Sequence, residues 1–215
     1  MAVTETLHYI TARATGNRYT MESGMRRQQG LTNKCSLAWK LPAIFGAKVA
    51  QEDSGVFRRI PLEAAGRLYT SPMPFGAYDK GNRLLRLYKQ YRIDHVLILA
   101  TDEEMKRKTR RNLPALYDKA GIGHSRYAIV DFQSPSMQML YDMVAEGVNR
   151  LNRQRLAVHC HAGVGRTAVA VCGIVMAQTL RTAIQAMAYV QQHMTVNMTS
   201  EQKRLVERFQ FDALM

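Results

Sequence analysis

Cysteine, proline and tryptophan are scarce in this sequence, which contains three, six and one of them in 215 residues. Cys35, Cys160 and Cys172 form neither an even-numbered framework nor a C-x-x-C pair, which argues against a disulfide scaffold and a zinc module. The longest uncharged apolar run, Ala168 to Ala177, is about half the roughly 20 residues that a membrane span needs. Because the N-terminus also lacks the basic-then-apolar pattern of a signal peptide, we expect a cytoplasmic protein without a transmembrane segment.

Acidic residues are few as well. The chain has 17 Asp and Glu against 30 Lys and Arg, a formal net charge of +13. This imbalance favours anionic partners, such as phosphates, nucleic acid or acidic membrane surfaces. A composition of 47% apolar and 22% charged residues is typical of a globular protein and excludes collagen, a coiled coil and disorder throughout.

Two regions follow from the distribution of apolar residues. Residues 1–54 are predicted to form a basic, polar N-terminal arm or extension, and residues 55–215 a compact domain. Apolar runs that suit buried strands alternate with segments of helical periodicity, which predicts an α/β fold with a central mixed, mainly parallel sheet flanked by helices. The predicted strands are 95–100, 127–130 and 156–159, and the predicted helices are 82–91, 137–151, 168–180, 182–193 and 200–211. Residues 69–76 are predicted as a loop, and Ser134 as the N-cap of helix 137–151.

The most informative segment, HCHAGVGRT at residues 159–167, leads from an apolar strand through a loop with two glycines into a buried helix. The first N–H groups of a helix have no internal partner, and Gly163 and Gly165 let the loop amides point inward. Such a junction is a ready binding site for a phosphate dianion. We expect residues 161–166 to form it, namely His161, Ala162, Gly163, Val164, Gly165 and Arg166.

Cys160 stands at the base of this loop, where inward amides and a helix N-terminus favour the nucleophilic thiolate. Arg166 offers a planar fork of N–H donors that matches two phosphoryl oxygens, and Thr167 adds a hydroxyl beside the sulfur. His159 and His161 flank the cysteine. Because neighbouring strand residues point to opposite faces, His159 is interpreted as a structural support and not as a metal ligand.

The segment HCHAGVGRT resembles the signature H-C-x-x-G-x-x-R-[S/T] of the cysteine-dependent protein-tyrosine phosphatase superfamily at every fixed position. The resemblance covers residues 55–215, which it implies to be a catalytic domain similar to compact dual-specificity and archaeal-type phosphatases. It implies hydrolysis of phosphotyrosine, and of phosphoserine or phosphothreonine, in protein substrates through a cysteinyl-phosphate, without a cofactor or metal. It further implies Asp131 as the general acid and Gln202 as the residue that orients the attacking water.

Each of these assignments has an alternative. Cys160 as an inert buried thiol, Asp131 as a turn residue and Gln202 as part of the capping box Thr199-x-x-Gln202 are all compatible with the sequence. Cys172 is interpreted as a core residue and Cys35 as incidental, and any part they take in redox control is left open.

The function has alternatives too. The cationic run of Lys106, Arg107, Lys108, Arg110 and Arg111 is either a solvated face or a surface that attracts RNA or another acidic partner. The same fold also serves RNA 5′-polyphosphatases and phosphoinositide phosphatases, although the absence of lysine from residues 161–165 argues against the latter. A catalytically dead module that binds phosphoproteins is the remaining alternative.

Overall fold

The computed structural model describes residues 55–210. The predicted N-terminal arm, residues 1–54, and Cys35 within it lie outside the described residues.

Five strands form one mixed sheet in the order β1-β2-β5-β3-β4. They are β1 (Arg58–Ile60), β2 (Arg67–Ser71), β3 (His95–Ile98), β4 (Gly123–Arg126) and β5 (Arg155–His159). Only β1 is antiparallel to its neighbour, so the prediction of a mixed, mainly parallel sheet is confirmed. Because β5 lies in the centre, the residues that follow it are flanked by the carboxyl ends of β2 and β3.

Seven helices are present among residues 55–210. They are α1 (Leu84–Gln90), α2 (Asp102–Thr109), α3 (Leu113–Lys119), α4 (Met137–Leu151), α5 (Arg166–Thr179), α6 (Ala183–His193) and α7 (Ser200–Arg208). Thr182 and Thr199 begin α6 and α7 with capping boxes, in which the threonine hydroxyl and a glutamine side chain satisfy each other's backbone N–H groups.

The sheet is covered on both faces, and the side chains of β5 show how. Leu156 and Val158 pack into one apolar cluster with residues of α4, α5, α6 and α7. Ala157, which points the other way, packs into a second cluster with residues of α1, α2 and α3. The most apolar helix, α5, is buried from Arg166 to Met176 and fixes the position of the loop that precedes it.

Two strand predictions are wrong. Tyr69, Thr70 and Ser71 belong to β2 and not to a loop, because they pair in parallel with β5. Residues 127–130 are not a strand. The strand is β4, directly before them, and its residues are only partly buried, so they lack the apolar signal of an inner strand.

The helix boundaries also differ in places. Ser136 caps α4, since its hydroxyl accepts a hydrogen bond from Met139 N–H, whereas the Ser134 hydroxyl is buried without a hydrogen-bond partner in the described part of the chain. Helix α5 begins at Arg166 and not at Ala168. Helices α2 and α3 were not predicted, because a dense run of charge conceals the few apolar residues that α2 buries.

Among residues 55–210, no single helix is long and apolar enough to cross a membrane. Helices α5 and α6 reach that composition only when taken together, and they are bent by 116° relative to each other.

Candidate active site

The loop between β5 and α5 is held between two neighbouring segments. Gly163 has a φ of +76°, and a Cβ there would lie 2.5 Å from the Ser71 carbonyl oxygen at the end of β2. On the other side, a Cβ on Gly165 would lie 3.1 Å from the Asn197 carbonyl oxygen. Gly163 is therefore needed for its backbone conformation and for the close approach of the neighbouring chain, whereas at Gly165 a side chain would be in tight contact with the backbone beside it.

This loop forms the floor of a cavity of about 230 Å³. The cavity is lined by most of the predicted site residues, Cys160, His161, Ala162, Val164, Gly165, Arg166, Asp131 and Gln202, together with Tyr78, Phe132, Asn197 and Thr199. Gly163 lines the neighbouring cavity instead, and Thr167 and His159 lie beneath the loop, fully buried. The structure thus brings most of the predicted residues together around one depression of molecular size.

Cys160 is only 3% exposed, yet it lines this cavity. The Gly163 N–H points at its sulfur, with 3.3 Å between the nitrogen and Sγ. The N-cap of α5 is Gly165, which provides no side chain to satisfy the first N–H groups of the helix. These donors and the positive end of the helix dipole are therefore available to a negative group above the loop.

The guanidinium of Arg166, which is 2% exposed, is held by a buried glutamate that the sequence analysis missed. Glu104 on α2 accepts two hydrogen bonds from it, at 2.6 Å from Nη1 and 2.9 Å from Nη2. Burial alone lowers the pKa of Arg166, but the hydrogen bond with Glu104 and the electrostatic interactions with Cys160, Glu104 and Asp131 raise it overall. Glu104 follows β3, which is next to β5, so only the strand order shows that it faces Arg166.

Asp131 binds the same guanidinium. Its Oδ1 lies 2.7 Å from Nη2, and Nη1 also donates to the Ile129 carbonyl oxygen at 2.8 Å. Four of the five N–H donors of Arg166 are used in this way. The remaining one, on Nε, has no hydrogen-bond partner among residues 55–210.

Gln202 connects α7 with the segment that carries Asp131. Its Oε1 accepts the Thr199 N–H in the capping box, and its Nε2 donates to the Gln133 carbonyl oxygen at 2.8 Å. The capping interpretation is therefore confirmed. Because the Gln202 side chain also lines the cavity, its capping hydrogen bonds do not exclude a role at the site. The water-orienting role stays a prediction.

His159 is fully buried beneath the loop. Its Nδ1 lies 3.1 Å from the Cys160 carbonyl oxygen, which can only accept, so Nδ1 carries the proton and Nε2 accepts from the Tyr117 hydroxyl at 2.8 Å. Burial lowers the pKa of His159 to about 4, which keeps the ring neutral. The geometry agrees with a support that joins the loop to α3.

Two further polar groups of the site are buried without a hydrogen-bond partner in the described part of the chain, His161 Nε2 and Thr167 Oγ1. The ligand atoms of His161, Glu104 and Asp131 lie within 4.8 Å of one another, close enough for a metal ion. Both carboxylates, however, already pair with Arg166, which supplies the positive charge at this position.

Cys172 does not line the cavity. Burial in α5 raises the pKa of its thiol to about 12 and keeps it in the neutral form. The core assignment made from the sequence therefore agrees with its surroundings.

The cationic run divides into two parts. Lys106, Arg107 and Lys108 are exposed on α2. Burial lowers the pKa of His161, and the charge of Lys108 adds to this effect. Arg111 instead stacks on the ring of Phe75, 4.6 Å from its centroid. An RNA or other acidic partner for this run stays a prediction.

Comparison with known families and proteins gives several matches, and the family match includes this site. The family model described as "Polymorphic toxin system, DSP-PTPase phosphatase" matches residues 76–182, which contain Glu104, Asp131 and the Cys160 loop. The mouse protein tyrosine phosphatase domain-containing protein 1 is 36% identical over 78 residues, which are 36% of this chain and 10% of that protein. The mouse cyclin-dependent kinase inhibitor 3 is 29% identical over 85 residues, 39% of this chain and 40% of that protein. This chain thus spans about 10% of the length of the curated relatives it matches first.

Several solved structures share the fold. A kinase associated phosphatase with its catalytic cysteine replaced by serine matches with a TM-score of 0.63 at 17% identity, over 70% of this chain and 90% of that chain. Tk-PTP in its active form matches with a TM-score of 0.58 at 24% identity, over 72% and 98% of the two chains. PTPMT1 in complex with PI(5)P matches with a TM-score of 0.57 at 19% identity, over 70% and 92%.

The pair of Arg166 and Glu104 leads to a test of stability. Glu104→Gln keeps the size of the side chain but removes one charge from a buried ion pair, so we expect the free energy of unfolding to fall by about 3 kcal/mol in urea titrations. Glu103, exposed on the same turn of α2, provides the control, and Glu103→Gln should change the value by less than about 0.5 kcal/mol. Equal losses in the two variants would contradict the importance of the pair.

Proposed function

Because the chain belongs to the cysteine-dependent protein-tyrosine phosphatase superfamily, we propose that it hydrolyses phosphotyrosine, and to a lesser extent phosphoserine and phosphothreonine, in protein substrates. The observation that carries this proposal is the position of Cys160 in a cavity of about 230 Å³, with amide donors below and the Arg166 guanidinium at its side. A phosphomonoester dianion fits these charges, and the sulfur faces its phosphorus.

In the first step, the Cys160 thiolate attacks phosphorus in line, a sulfur–phosphorus bond forms and the bond from phosphorus to the leaving oxygen breaks. Asp131 in its acid form gives that oxygen a proton. The loop amides and Arg166 stabilise the equatorial oxygens, so the protein contributes mainly positioning and charge. In the second step, water gives a proton to the Asp131 carboxylate and attacks phosphorus, which releases inorganic phosphate and restores the thiolate.

The hydrogen bonds of Arg166 indicate how substrate binding releases the acid. The fork that remains for two phosphoryl oxygens consists of the Nε–H and the Nη2–H that Asp131 now occupies. A phosphoryl oxygen that binds Nη2 takes the place of Asp131 Oδ1, while Glu104 keeps the guanidinium in plane. Asp131 is then free to turn towards the leaving oxygen. The adjacent Phe132, with a φ of 65°, and the turn from Val130 to Gln133 shape the segment that moves.

Two aromatic side chains support an aryl phosphate as the preferred substrate. Tyr78 and Phe132 line the cavity and are 50% and 75% exposed. Rings at the mouth of a phosphate site offer apolar contact to the ring of phosphotyrosine. The side chains of phosphoserine and phosphothreonine have no ring and are too short to make this contact.

The enzyme proposal is tested by turnover. The protein should release phosphate from p-nitrophenyl phosphate in EDTA, and vanadate should block it. Cys160→Ser should lower kcat by about 10⁴-fold or more, because the attacking thiolate is lost, yet still bind a phosphotyrosine peptide. Cys172→Ala removes the core thiol instead and should keep the activity. A wild-type protein that binds the peptide without turnover would instead be a binding module.

The acid role of Asp131 is tested with two leaving groups. Asp131→Asn should slow the hydrolysis of phenyl phosphate by about 10²- to 10⁴-fold and that of p-nitrophenyl phosphate much less. Phenol is the poorer leaving group, and only it depends on a proton from the acid. Asp142→Asn, which changes an exposed carboxylate on α4, serves as the control in the same kcat measurements. Equal slowing of the two substrates would remove Asp131 from this role.

The matching family description names polymorphic toxin systems, which favours a toxin role as a second candidate function for the same site. In either role we propose the cytoplasm as the place of action, because the Cys160 thiol has to stay reduced. Expression of the wild type in a bacterial host should then slow growth, while Cys160→Ser at the same protein level should not. Equal growth curves would contradict the toxin role but not the phosphatase activity.

A further inference from the structure

A second cavity lies beside the reaction cavity. It has a volume of about 330 Å³ and shares three lining residues with it, Tyr78, Ala162 and Val164. We call it the side groove. A molecule bound over Cys160 needs to pass only these shared residues to reach it.

The segment 72–83, which carries Lys80 and Arg83, forms one wall of the side groove and is fixed in place. Met73 N–H donates to the carbonyl oxygen of His161 at 3.0 Å, which attaches the segment 72–83 to the Cys160 loop. The buried Asp79 carboxylate accepts backbone N–H groups of Phe75 and Arg83 at 2.8 Å and of Leu84 at 3.2 Å. The groove is therefore preformed, and its backbone does not have to be ordered when a ligand binds.

The charged side chains that line the side groove are basic. Arg58, Lys80 and Arg83 line it, and no Asp or Glu of the described residues does. Lys80 and Arg83 are exposed, and neither forms an ion pair within residues 55–210. The nearest acid along the chain, Asp79, accepts hydrogen bonds from backbone N–H groups and forms no ion pair with either cation. Cations in a concave surface attract and hold an anionic group.

Building on the proposed phosphatase function, we infer that the side groove binds an acidic side chain, carboxylate or phosphate, next to the phosphorylated residue of a protein substrate. Residues 161–165 contain no lysine, so a second negative charge is met beside the reaction cavity and not within it. This separation favours a charge on a neighbouring residue over a second phosphate on the same inositol ring. Apolar lining by Val56, Pro72 and Met194 also suits a peptide.

The test uses two phosphotyrosine peptides that differ only at the flanking positions, Glu in one and Gln in the other, and measures their Kd for a Cys160→Ser background. Adding Lys80→Ala and Arg83→Ala should raise the Kd of the Glu peptide by roughly threefold to tenfold and leave the Kd of the Gln peptide unchanged. Adding Arg86→Ala and Lys89→Ala, which remove two exposed cations of α1 outside the groove, should change neither.

Charge reversal extends the test, and circular dichroism checks that each variant is folded. Lys80→Glu with Arg83→Glu should make the Gln peptide the better ligand. Equal weakening of both peptides, or the same effect from the Arg86 and Lys89 pair, would overturn the inference. So would a groove variant that loses binding of an inositol bisphosphate headgroup while its peptide preference is intact.

The two proposals fail in different ways. A preference for the Glu peptide that depends on Lys80 and Arg83, without turnover in the wild type, would support the groove and reject the enzyme. Turnover without that preference would reject the groove alone.

Discussion

The buried ion pair of Arg166 and Glu104 is the contact on which the site depends. It joins α5 to α2, and through the Ile129 carbonyl oxygen and Asp131 it also joins both to the segment after β4. Taking two charges out of water costs free energy, and an apolar pair of similar size would often be at least as stable. The pair is therefore better explained by orientation, because it fixes the plane of a guanidinium whose remaining edge is bonded, within residues 55–210, only to the half-exposed Asp131.

In the proposed mechanism, the same contact connects substrate binding with proton transfer. Nη2 donates to Glu104 and to Asp131, so an oxygen that arrives at Nη2 competes with the acid and not with the positioning glutamate. Glu104 is 4% exposed, whereas the Asp131 side chain is 35% exposed and thus better able to move. The difference in burial fits the different roles proposed for the two carboxylates at one guanidinium.

The local parts of this arrangement could be predicted from the sequence. HCHAGVGRT specifies a strand, a loop and a helix within nine residues, and the strong periodicity of 137–151 predicts α4 with its observed bounds. Glu104 could not be found in this way, because its partner is 62 residues away and the pairing depends on β3 lying beside β5. Strand β4 was missed because an edge strand with half-exposed residues carries little apolar signal, and β2 because a turn-rich segment follows it directly.

Four contacts from four directions hold the Cys160 loop before any substrate arrives. Tyr117 on α3 supports it through His159, and the Met73 N–H binds the His161 carbonyl oxygen. The Asn197 N–H binds the Val164 carbonyl oxygen at 2.9 Å, and the packed helix α5 fixes its end. Donors that already point at the developing charge do not have to reorganise during the reaction, which is how a fixed loop lowers a barrier. Because Met73 belongs to the segment 72–83, its contact with the loop also fixes the position of the side groove relative to the cavity over Cys160, and under the two proposals it thereby sets the distance between the two anionic groups of a substrate.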